Sequence, residues 1–149
     1  MTGYRKVVVG TDGSSPSMYA VRRAARLAGD SAELVIVCAY YPNSRRDVER
    51  ARDEMGQEAF QVVGSAPAED SLRDAIDHAR SAGAGSVDTV SVLGPPIDSL
   101  IETAESHSAD LLVVGSRGLN TLKGRILGSV PSEVSRRSEC DVLVVRTTR

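Results

Sequence analysis

The apolar residues of this chain fall in short unbroken runs separated by amphipathic stretches. Val7-Val8-Val9, Leu34-Val35-Ile36-Val37-Cys38-Ala39, Leu111-Leu112-Val113-Val114 and Val142-Leu143-Val144-Val145 are apolar throughout. A strand with one wet face alternates, whereas an unbroken run is what a strand covered on both faces shows. Val87 to Leu93 is more polar and does alternate, which predicts an edge strand. Between the runs, Met18, Val21, Ala25 and Ala28 share one helical face, as do Leu72, Ala75, Ile76 and Ala79, and again Ile97, Leu100, Ile101 and Ala104. Ser15 before Pro16, Pro67 with Glu69, Pro95-Pro96 and Ser129 are helix starts, and Gly29 and Gly83 are helix ends. Alternation of strand and helix implies parallel strands joined by right-handed crossovers. The expected fold is α/β: an open doubly wound five-stranded parallel sheet of order 3-2-1-4-5, with helices on both faces. Residues 1–149 form one domain.

In such a sheet a ligand lies beyond the strand C-termini, where the strand order reverses. With that order, strands 1 and 4 are neighbours at the reversal. Both run into glycine-bearing loops, Gly10-Thr11-Asp12-Gly13 and Gly115-Ser116-Arg117-Gly118. The second leads, nine residues on, to Gly128-Ser129-Val130 and a helix. Gly128 lets backbone pass close to a ligand. The free N–H groups of the helix's first turn favour an anion, so the stretch reads as a phosphate cradle. Taken alone, Gly115 and Gly118 serve equally well simply to turn the chain. The pattern is neither a Walker A loop nor the Gly-x-Gly-x-x-Gly of dinucleotide folds. Asp12 either makes an Asx-turn or faces a ligand, and beside a sugar or base rather than a phosphate, which it would repel. Ser129 suits both a helix cap and an anion contact. Arg117, Lys123 and Arg125 either neutralise phosphate or are solvated surface charge.

Composition narrows the classes. Hydrophobic residues make up 41% and charged residues 26% of the chain, with a net charge of -2 and a pI near 5.7. That balance gives no reason to expect nucleic acid as a partner. No apolar run is long enough to span a bilayer and no signal peptide is visible, so no membrane association and a cytoplasmic location are expected. Cys38 and Cys140 are expected to be buried free thiols. Neither His78 nor His107 comes with a second His or a Cys at metal-ligand spacing, and no general base is positioned for phosphoryl transfer. No catalytic or metal-ligating residue is therefore assigned. The mixed charges from Pro42 to Gly64 read as a solvated excursion, with a cover over the site as the alternative.

Four segments resemble the universal stress protein family, and between them they run from strand 1 to the end of strand 5. They are Val8-Val9-Gly10-Thr11-Asp12-Gly13-Ser14, Ala109 to Gly118, Gly128-Ser129-Val130-Pro131-Ser132-Glu133-Val134, and Cys140 to Arg146. The resemblance is to the single-domain, ATP-binding type. It implies a stress or regulatory protein that binds adenine nucleotide, with Gly115, Gly118, Gly128 and Ser129 around ribose and phosphates. Asp12 would then lie beside base and ribose, and Ala39, near the end of strand 2, against adenine. Gly10, Thr11, Ser116, Arg117 and Val130 complete the candidate site. ATP is the expected ligand, with Mg²⁺ only as its companion, and cyclic AMP is the alternative. The resemblance also implies a homodimer through strand 5, Val142 to Val145; with no general base positioned, any ATP hydrolysis is expected to be slow or incidental, and a slow ATPase or phosphotransferase is the enzyme alternative. A phosphorelay receiver is disfavoured, because strand 3 ends at Gly94-Pro95 and strand 5 at Arg146-Thr147, without that family's aspartate and lysine. A flavodoxin is disfavoured by the scarcity of aromatic residues for stacking.

Overall fold

A computed structural model of the chain describes residues 3–42, 62–116 and 129–147. In chain order the elements are β1 (Lys6–Gly10), α1 (Ser15–Ala28), β2 (Glu33–Tyr40), α2 (Ser65–Ser81), β3 (Ser86–Leu93), α3 (Pro96–Ser106), β4 (Leu111–Gly115), α4 (Ser129–Arg137) and β5 (Asp141–Val145). The strands form one sheet of order β3-β2-β1-β4-β5, and every pairing is parallel. This is the fold expected from the alternation of runs. The segment from 43 to 61, including the charge run and any cover it forms, lies outside the described residues.

The unbroken apolar runs have a direct structural reason. Successive side chains of a strand point to opposite faces. Val7, Val9, Leu34, Ile36, Cys38, Leu111 and Val113 meet α1 and α2 on one face. Val8, Val35, Val37, Leu112 and Val114 meet α3 and α4 on the other. Both faces are dry, so neither parity of the strand tolerates a polar residue. Burying a side chain such as Leu34 or Leu112 contributes about 1.5–3 kcal/mol. The β3 strand pairs with β2 along its whole length, and five of its eight side chains are only partly buried while Ser86, Asp88 and Leu93 are exposed, as befits an edge.

Two local expectations need correction. The cap of α1 is Ser14 rather than Ser15: its hydroxyl accepts from the Ser17 backbone N, and Pro16 then falls in the first turn. Cys140 is half-buried, unlike Cys38, because it lies in the turn before an edge strand; neither thiol is in a disulfide.

Candidate functional site

The β1 exit is built by close approach and by hydroxyl groups. A Cβ on Gly10 would stand 2.7 Å from Cδ2 of Leu100, so the missing side chain is what lets α3 cross the end of β1. The next residue, Thr11, is buried, and its backbone N donates to the Val37 carbonyl at 2.9 Å, extending the ladder with β2. Gly13 turns the chain with φ of 85°, a conformation that favours glycine, and a Cβ there would meet Ser71 Oγ of α2 at 2.6 Å.

Hydrogen bonds within this loop follow one direction. The Ser17 hydroxyl donates to the Ser14 carbonyl at 2.8 Å. Its single hydrogen being spent, it accepts from the Thr11 hydroxyl at 2.8 Å. Thr11 Oγ1 in turn accepts from Gly13 N, and Ser17 Oγ from Asp12 N. The Asp12 carboxylate accepts at Oδ1 from both the backbone N and the hydroxyl of Ser14. The N–H groups of residues 11 to 14 therefore all have partners inside the protein. This loop is no anion cradle: it presents a carboxylate held in place by its own helix cap, which suits a hydroxyl or amino donor.

The β4 exit differs. Gly115 pairs with Val145, and Ser116 N donates to the Val145 carbonyl at 2.7 Å. The Ser116 hydroxyl accepts from Thr147 N at 3.0 Å, so this side chain ties down the end of β5. Beyond Ser116, the residues 117–128 lie outside the described residues, and with them Arg117, Gly118, Lys123, Arg125 and Gly128. The described chain resumes at α4, where Ser129 is exposed and Val130 packs on the core beside α3. Because β4 and β5 are parallel, α4 returns the chain from the C-terminal edge and opens on the crevice side.

The sheet register brings the two exits together. Val9 stands opposite Val113, so Gly10, Thr11 and Asp12 leave the sheet beside Gly115 and Ser116. Ala39 is one strand further across, half-buried and paired with Val92 on the α3 side of the sheet. The cysteine beneath the crevice, Cys38, has its thiol pushed up to about 12 by desolvation, with the charges of Asp12 and Glu69 adding to it. Ser14 and Ser17, which hold the β1 loop in shape, are the candidate-site residues that the sequence pattern did not single out. Their signal is the spacing Asp12-x-Ser14-x-x-Ser17, an Asx-turn feeding a helix cap.

Both histidines serve helices. The Arg22 guanidinium donates to His78 Nδ1 at 2.9 Å, joining α1 to α2, and His107 Nδ1 donates to the Thr103 carbonyl at 3.1 Å. Among the described residues, no group of three or more His, Cys, Asp or Glu side chains stands where it would hold a metal ion, and no helix is long and apolar enough to cross a membrane.

A five-stranded doubly wound sheet with its crevice between β1 and β4 defines a class of small ligand-binding α/β domains. Within that class the sequence model of the universal stress protein family matches residues 3–146, and this chain belongs to that family. It is 49% identical over 148 residues to universal stress protein Rv1636 of Mycobacterium tuberculosis, covering 99% of this chain and 100% of the relative. Universal stress protein YxiE of Bacillus subtilis is 30% identical over 159 residues, covering 96% and 99%. Among solved structures, a universal stress protein in complex with cAMP superposes with a TM-score of 0.75 at 44% identity, covering 97% of this chain and 98% of that one.

Proposed function

We propose that this chain is an adenine-nucleotide-binding regulatory protein, and that the nucleotide lies across the C-terminal ends of β1 and β4. The observation that carries the reading is the division of labour at that edge. The β1 exit has its N–H groups closed off and a carboxylate fixed by Ser14, so it suits ribose hydroxyls or the adenine amine. The phosphate then belongs to the other side, with Gly115, Ser116, Arg117, Gly118, Gly128, Ser129 and Val130. The small side chain of Ala39 leaves room for a flat base. ATP remains the first reading, with Mg²⁺ entering only alongside it. The structure 44% identical to this chain that holds cAMP is the specific observation favouring cyclic AMP as the second.

Binding rather than turnover is the proposed activity. The carboxylate nearest the crevice is engaged by Ser14, and both histidines are committed to helix contacts, so ATP hydrolysis is expected to be slow. Calorimetric titration with ATP, AMP and cyclic AMP, repeated on Gly118→Ala and Gly128→Ala, tests the site. Loss of affinity in these variants is the expected result, and unchanged affinity in both removes the loop from the reading.

The apolar edge strand β5 is proposed to pair with a second copy through Val142, Leu143, Val144 and Val145, which are only partly covered except for Val145. Light scattering at micromolar concentration reads the mass directly, and a monomer ends this part of the proposal.

A further inference from the structure

The outer edge of β5 is charged in a way that selects its partner's orientation. From Glu139 to Arg146 it reads acid, Cys140, acid, four apolar residues, base. Parallel pairing of two such edges would stack like charges, whereas antiparallel pairing sets the basic end of each against the acidic end of the other. At the acidic end there is also a recess of about 290 Å³, formed where α3 runs into β4 and α4 into β5. Ile101, Ala104, Ala109 and Cys140 line it together with Glu105 and Glu139. Both glutamates are exposed, and so is Arg146. Among the described residues none of the three has an ion-pair partner.

Resting on the β5 pairing put forward above, we propose that the occupant of this recess is Arg146 of a second copy of the chain. The register follows from parity. In a two-fold pair whose axis is perpendicular to the sheet, opposed residues share a face, so their numbers sum to an even value. Full pairing of Asp141 to Val145 centres the axis on Leu143. Asp141 then stands opposite the partner's Val145, and Cys140 opposite the partner's Arg146. Cys140, Val142 and Val144 pack toward α3 and α4, so the arginine, two residues beyond Val144, emerges on the same side as the recess. There its guanidinium meets Glu105 and Glu139 at the border of an apolar surface, where its methylene stem is also covered. Each dimer contains this contact twice.

The register makes a sharp test with Arg146→Cys. Directly opposed residues of an antiparallel pair have Cα atoms about 4.5–5.5 Å apart, within the span a disulfide bridges. Under air oxidation Arg146→Cys should form a covalent dimer on a non-reducing gel, and Arg146→Cys/Cys140→Ser should not. Sedimentation equilibrium on Arg146→Glu should show dimerisation weakened by roughly tenfold, since two contacts are reversed at once. Adding Glu139→Arg to that variant should recover most of the loss. A wild-type monomer, a dimer indifferent to Arg146→Glu, or a cross-link that survives Cys140→Ser overturns the proposal. Glu139 lies at the sheet edge opposite the crevice, whereas Arg146 adjoins Val145 and Thr147, which are bonded to Ser116, so nucleotide titration of Glu139→Arg alone reports separately on the binding reading.

Discussion

Two aspartates bracket the same pair of strands and do different work. Asp110, at the N-terminal edge just before β4, accepts from the backbone N atoms of Arg5 and Lys6 at 2.9 and 3.0 Å, clamping β1 to β4 across 104 residues of chain. Asp12, at the C-terminal edge, accepts at Oδ1 from the backbone N and the hydroxyl of Ser14, two residues on. One carboxylate holds the fold and the other is held by it. The two cysteines repeat the contrast: Cys38 is sealed beneath the crevice, and Cys140 is half-open at the opposite edge. The chemistry proposed to face the ligand thus gathers where the loops leave the sheet, and long-range fastening gathers where they enter it. Tyr4, whose hydroxyl donates to Asp141 at 2.7 Å, belongs to the fastening end.

The contrast can be broken at several points. The largest expected difference is in thiol reactivity. Only a thiolate attacks an alkylating agent, and burial holds the Cys38 thiol up to about 12. Native protein at neutral pH should therefore be modified at Cys140 at least about a hundredfold faster than at Cys38. Peptide mass spectrometry over time separates the two, and comparable rates would mean that Cys38 is not sealed.

Next is Asp110→Ala. It leaves two backbone donors without their acceptor and should lower unfolding free energy by about 1–3 kcal/mol in a urea titration. Nucleotide affinity of the folded fraction should stay the same. Asp12→Ala should do the reverse, weakening nucleotide binding about tenfold, or about 1.4 kcal/mol, with a smaller change in the urea midpoint. If both variants lose stability and affinity together, the separation of roles fails.

A smaller effect should appear in the pH dependence of stability. Partial desolvation pulls the Asp110 carboxyl upward, but the Arg5 and Lys6 backbone hydrogen bonds outweigh it and hold it below its ordinary value. A carboxylate lowered on folding stabilises above its unfolded value, near about 3.9, and loses that contribution as pH falls through the folded one. The stability gap between wild type and Asp110→Asn should be widest near neutrality and should narrow below about pH 4. The smallest expected change is for Ser14→Ala, which removes the α1 cap and should cost about 1 kcal/mol. Because it also removes the hydroxyl's bond to Asp12 Oδ1 and leaves only the backbone one from Ser14, it should weaken nucleotide binding a few-fold, and a change in stability alone would make Ser14 only a cap.

Much of this was legible in the residues themselves. Runs such as Leu111–Val114 are apolar at both parities, and only a strand packed on both faces requires that, so the layered parallel sheet follows from hydrophobic pattern. Glycine at 10 and 115 likewise marks the ends of β1 and β4, and serine at 129 the start of α4. The reason for a particular glycine was not legible. Gly10 is demanded by Leu100, 90 positions away, and Gly13 by its own φ and by Ser71, contacts that exist only once α3 and α2 have docked.

Pattern along the chain therefore determined the layers, the strand count and the loops that leave the sheet, since periodicity and turn chemistry are local. Tertiary structure alone decided which donors remain for a ligand and which carboxylate is a clamp. A hydrogen bond such as that from Lys6 N to Asp110, 3.0 Å long, depends on atoms of segments 104 residues apart brought together by packing, and no spacing in the sequence encodes that distance.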